Sequence, residues 1–173
     1  MRKFGILLIA VLVGITSNLK AQHLTVYLNS LNGITAGNSF DVGSRGGSLG
    51  LNFTNTLHND LKWLGGVELN TVSWGNNAVI NLGIVYGKEF APKWSWSVSG
   101  LTQQGVALFK PNAFYTFGLS ALGGIEFSIN DKSSIGLSTG LRWYNCPEYS
   151  KHSLISYYLD FPVELSYRIN LKK

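Results

Sequence analysis

Ile155-Ser156-Tyr157-Tyr158-Leu159-Asp160-Phe161-Pro162-Val163-Glu164-Leu165-Ser166-Tyr167-Arg168-Ile169-Asn170-Leu171 changes character at every step. Its odd positions are all aliphatic or aromatic, while its even positions hold Asp160, Glu164 and Arg168 among Ser, Tyr, Pro and Asn. A period of two belongs to a strand, whose successive side chains point to opposite faces, and not to a helix. The run 155–171 is far longer than the five or six residues usual in soluble sheets. A long strand with one greasy face and one charged face fits the wall of a membrane-spanning β-barrel.

The same alternation recurs upstream. His23 to Asn29 sets Leu24, Val26 and Leu28 against Thr25, Tyr27 and Asn29, and Ser48 to Asn55 sets Leu49, Leu51 and Phe53 against Gly50, Asn52 and Thr54. Leu61 to Thr71 follows the rule with Leu64 as its one misfit. Further segments run through Ile80 to Tyr86, from Trp94 to an end that is not legible within Leu101 to Phe109, from Ala113 to Ser128, and from Ile135 to Trp143. With the closing strand the count is eight, the smallest usual size for a bacterial outer-membrane barrel. Connections after the second, fourth and sixth strands look tight, at His58-Asn59-Asp60, Lys88 to Lys93 and Asn130-Asp131-Lys132. The others look longer, with Trp74-Gly75-Asn76-Asn77 intermediate, so short turns are expected on one rim and longer loops on the other.

Arg2 and Lys3 precede an apolar run, Phe4 to Ile15, of secretory length, so residues 1–21 read as a signal peptide and 22–173 as the barrel. Removing Arg2, Lys3 and Lys20 from the 14 basic residues leaves 11 against 9 acidic ones, a net charge of +2. The basic balance therefore implies no nucleic-acid partner. Cys146 is the single cysteine, which excludes an intrachain disulfide. Charged residues make up 13% of the chain, against the 25–35% that a soluble surface wants. No apolar run after the leader is long enough for a transmembrane helix. A closed barrel pairs every backbone group in lipid without one, so the fold expected is an eight-stranded antiparallel up-and-down transmembrane β-barrel.

Volume decides which face meets lipid. A barrel of eight strands has room inside only for modest side chains, so the bulky Leu, Ile, Phe, Tyr and Trp set must point out. A two-layer sandwich burying that set is the rival, but its solvent face would be unusually poor in charge. Inward placement then falls to Lys62, Glu68, Glu126, Arg142, Asp160, Glu164 and Arg168, which are expected to form a lumenal salt-bridge network filling the barrel, since buried charges persist when paired. An ion-conducting constriction is the functional alternative. Trp63, Tyr86, Trp94, Trp96, Phe127 and Tyr167 near the short-turn ends, and Tyr115, Trp143 and Tyr157 near the other, are expected to form two aromatic girdles.

The leader ending Lys20-Ala21-Gln22, the eight alternating segments and the closing run Tyr158 to Arg168 resemble the small OmpA/OmpX-like outer-membrane β-barrel proteins. The resemblance implies an outer-membrane location with both termini periplasmic, lipid as the surrounding partner, a monomer, and a structural or surface-interaction role. The role would be carried by loops Leu31–Arg45, Thr102–Asn112 and Asn145–Ser153, where an extracellular ligand or protein could bind. The chain ends in Leu171-Lys172-Lys173 instead of a terminal aromatic, and Pro162 is expected to force a bulge. Some barrels of this kind are lipid A-modifying enzymes, and His152, Ser153 and Glu148 supply hydrolase residue types, but no motif fixes them in catalytic geometry. His23 and His58 are isolated, no metal spacing occurs, and no cofactor is implied.

Overall fold

Where Leu, Ile, Val and aromatic side chains alternate with Gly, Ser, Thr and Asn, the backbone is extended and laddered to both neighbours. The computed structural model describes residues 22–37, 41–72, 75–109, 112–145 and 155–171, and among them every regular element is a strand. The strands are β1 (His23–Gly37), β2 (Asp41–His58), β3 (Leu61–Val72), β4 (Gly75–Ala91), β5 (Trp94–Phe109), β6 (Asn112–Asn130), β7 (Ser133–Asn145), β8 (Ile155–Asp160) and β9 (Val163–Asn170). β8 and β9 are two halves of one wall strand interrupted at Phe161-Pro162. Each of β1 to β6 pairs antiparallel with the next strand, and both β8 and β9 pair with β7 and with β1, which closes an eight-stranded up-and-down barrel.

The register fixes the barrel's dimensions. Following Cα partners from Thr25 through Asn52, Gly66, Asn81, Gln103, Gly118, Tyr144 and Tyr158 leads back to β1 at Thr35, ten residues from the start. At about 3.3 Å per residue and about 4.8 Å between strands, that stagger gives a tilt of about 41° and a backbone radius of about 8 Å. Phe117 and Phe127, both on β6, are then about 25 Å apart along the axis, the height of an outer-membrane apolar band.

Several boundaries differ from the sequence expectation. Much of Leu31–Arg45 is strand, because β1 runs to Gly37 and β2 begins at Asp41. Most of Thr102–Asn112 belongs to β5, which continues to Phe109. Lys88 to Ala91 and Gly75 to Asn77 are β4 and not turns. By these bounds the far-rim connections are 38–40, 73–74, 110–111 and 146–154 against two residues each on the other rim, so the expected difference in length rests mainly on 146–154. Pro162 causes no bulge: Thr139↔Val163 and Arg142↔Asp160 share one register on the β7 side, as do Ser30↔Val163 and Gly33↔Asp160 on the β1 side. Its missing donor breaks the ladder, while its carbonyl accepts from Thr139 Oγ1 at 2.8 Å. Bulges in β1 fall instead at Gly33/Ile34 and Ala36/Gly37. At the opposite rim, Asn59 (φ 46°) and Lys93 (φ 68°) take the left-handed backbone that reverses the chain within two residues.

The large apolar residues point out. Leu69 is 63% exposed and Leu165 58%, with Ile84, Leu137, Leu28 and Val98 comparable. The most enclosed side chains point in and are mainly polar, among them Arg142, Tyr27, Gln103, Glu68 and Asn81. The sandwich with a shared apolar interior is thereby excluded. The apolar exceptions inside are few: Leu64, Leu101 and Leu122 pack together with Val85 against them. Leu64, the misfit of the third strand, is therefore an inward residue.

Candidate functional site

At mid-height, β3 turns Glu68 into the lumen, where it is 1% exposed, and β7 directs Arg142 at it from the other side. Arg142 Nη1 donates to Glu68 Oε1 at 2.6 Å. Tyr27 OH donates to Oε2 at 3.0 Å and Asn81 Nδ2 to the same oxygen at 3.3 Å. Asn81 Nδ2 also donates to Tyr27 OH at 2.7 Å, and Gln103 Nε2 to Asn81 Oδ1 at 2.8 Å. A carboxylate with an ion partner and several donors is the form in which a buried charge is tolerated. Glycine opposite the aromatic members makes the layer possible: a Cβ on Gly50 would collide with the hydroxyl end of Tyr27, and one on Gly118 would stand 2.6 Å from Tyr144 Cδ1.

The layer extends towards Glu164. With its amide oxygen turned to the guanidinium, Asn29 accepts from Arg142 Nη2 at 3.2 Å and from Ser48 Oγ at 3.0 Å, and donates to Glu164 Oε2 at 3.2 Å. Ser138 Oγ donates to Glu164 Oε1 at 3.2 Å. Tyr144 OH accepts from Asn70 Nδ2 at 3.2 Å, and the Arg142 guanidinium lies 5.9 Å from the centroid of its ring.

The seven charges expected inside all line up on inward positions but divide into levels. Glu68 and Arg142 pair at mid-height, while Glu126 accepts from Arg168 in a second, half-buried pair nearer the short-turn rim. Asp160 is fully enclosed, its Cα opposite that of Arg142. Lys62 and Glu164 have no oppositely charged group within ion-pair distance among the described residues. The lumen is not filled along its whole length either. Above Arg142, Asn70, Ala107, Phe114, Thr116, Ser120 and Tyr144 are buried. Below it a cavity of about 520 Å³ runs from Tyr27 and Arg142 down to Asn59 and Asp60 in the β2–β3 turn.

On the outer wall, Tyr86 and Trp96 stand 5.6 Å apart and Trp94 and Phe127 5.0 Å apart towards the short-turn rim, where Trp63 and Tyr167 also lie. Towards the other rim, Phe117 meets the edge of Trp143 at 6.3 Å, with Tyr115 exposed nearby on β6. Tyr157 belongs to β8 by its backbone, and its side chain lies outside the described residues. Cys146, Glu148, His152 and Ser153 also lie outside them. Sequence reading missed Gln103, taken as loop, and Tyr144. Counting on by two from Arg142 finds Tyr144, whereas β5 offered no such guide.

A closed eight-stranded ring with bulky apolar residues outside, polar residues inside and two-residue turns on one rim is the fold of the small outer-membrane barrels. Neisserial surface protein A (NspA) has a similar structure, with a TM-score of 0.60 and 9% identity over 86% of this chain and 97% of that one. Ail, the attachment invasion locus protein of Yersinia pestis, aligns with a TM-score of 0.49 and 12% identity over 86% of this chain and 99% of that one. No family model matches the sequence, and no curated protein matches it. The likeness is one of fold.

Proposed function

We propose that residues 1–21 export the chain and that residues 22–173 form an integral outer-membrane barrel, with the short-turn rim and both termini in the periplasm. The lumen is closed by the Glu68–Arg142 layer and the packed level above it, so the protein serves as an envelope component or a surface-interaction protein and not as a pore. The observation that carries this reading is the inverted exposure: Leu, Ile and Val side chains stand out from every wall strand while ion pairs lie within. Such a surface is stable in acyl chains and would aggregate in water. The two aromatic levels support the same placement. Any ligand contact falls to the far rim, above all to the connection 146–154, since the other connections there are short.

Extraction from membranes should require detergent, and the unboiled protein should migrate differently from the boiled protein on a denaturing gel. Solubility without detergent, together with one mobility before and after boiling, would overturn the reading. Deleting 147–153 should abolish any surface binding and leave the heat-dependent mobility intact.

A further inference from the structure

The half of the lumen below Arg142 is a built cavity and not a packing defect. Its volume, about 520 Å³, lies in the range of small-molecule sites. One wall is apolar, formed by Leu64, Val85, Leu101 and Leu122 on β3 to β6. Glu164 lies on β9, which is diametrically opposite β4 in a ring of eight, and Ser138 and Ser166 stand beside it on the same wall. Of the basic groups bordering the cavity, Arg142 is committed to Glu68 and Arg168 to Glu126, while Lys62 sits lower, in the field of Arg168, Glu126 and Asp60, and Lys88 stands near the β4–β5 turn. Among the described residues Glu164 receives hydrogen bonds only from neutral donors, Ser138 and Asn29, with the Arg142 guanidinium beyond Asn29 acting through its field and not by contact. Asn52 Oδ1 and Thr54 Oγ1, on two further buried residues that line the cavity, have no hydrogen-bond partner among the described residues.

We infer that this cup binds a small amphipathic cation, a primary ammonium on an apolar body of about six carbons, with the ammonium at Glu164 and the body against Leu64, Leu101 and Leu122. Three N–H donors suit a carboxylate that has no ion partner within contact distance among the described residues. The chain needs an apolar wall opposite, and the Leu64, Leu101 and Leu122 cluster lies there. That the cup faces the periplasm rests on the orientation proposed above, whereas the binding itself does not.

The test uses the full refolded barrel with carbon-13 leucine methyls in lipid nanodiscs, titrated with hexylammonium, hexanol and hexanoate. Hexylammonium should shift the Leu64, Leu101 and Leu122 methyls saturably and leave the outward Leu28 and Leu137 methyls to follow simple lipid partitioning. Hexanoate should produce no lumenal shift. Glu164→Gln should weaken the response at least about tenfold, the scale of a lost charge-assisted hydrogen bond. Ser99→Phe, which fills the cup from β5, should abolish it and keeps the test open should Glu164→Gln not fold. No saturable lumenal shift, hexanol matching hexylammonium, or an unchanged response in a folded variant would overturn the proposal.

Discussion

Glu68 and Arg142 are each almost fully enclosed, so their 2.6 Å contact is not screened as a surface pair is. Removing one partner leaves the other charge in a site with little water. Glu68→Gln and Arg142→Gln should each destabilise the barrel by about 3–5 kcal/mol, and the double variant should lose much less than the sum. Urea unfolding in phospholipid vesicles followed by tryptophan fluorescence measures all three. Additivity within about 0.5 kcal/mol would show that the two residues do not act as a pair. Both were legible from the sequence because inward parity is set by neighbours that must face lipid. What parity could not supply was depth. Pairing requires knowing which strands lie across the lumen from one another and how far they are staggered, and the stagger of ten emerges only when the whole ring is closed.

At the scale of the strand, alternation was readable where one face meets an apolar surround and the other a narrow lumen. Strand β5 shows where that signal fails. Just above Gly100 the outward residues are Thr102 and Gln104 and the inward ones Leu101 and Gln103, with an exposed apolar residue returning only at Leu108, so the apolar alternation is broken there and the segment reads as loop. The tops of β1 and β2 are similarly rich in Gly, Ser and Asn, and their strand character comes from ladder partners that a sequence does not display. Pro162 failed as a bulge signal for a related reason. A missing donor can be absorbed by interrupting one ladder position, without inserting a residue, when the register on both sides is held by longer runs. Pro162→Ala should therefore change stability by less than about 1 kcal/mol and leave the heat-dependent gel shift unaltered. A loss several times larger in the same urea titration would mean that the interruption itself is needed for closure.

For the molecule as a whole, the unequal halves of the lumen matter more than any single contact. Among the described residues the level above Arg142 is nearly fully buried while the level below it lines a cavity, which is the basis for the proposed cup as against a channel. Two engineered thiols separate these levels in a Cys146→Ser background. Ser97→Cys places a thiol on the cup wall, and Ser120→Cys places one in the packed level. A membrane-impermeant maleimide added to purified protein should label the first and spare the second, since reaction requires an accessible thiolate. In whole cells the Ser97→Cys thiol should stay unlabelled until the outer membrane is permeabilised, because the proposed orientation turns the rim of two-residue turns, where the cup reaches Asn59 and Asp60, towards the periplasm. Labelling of Ser97→Cys in intact cells would reverse the orientation while keeping the cup. Equal labelling of both thiols would instead show that the Glu68–Arg142 layer does not seal the lumen.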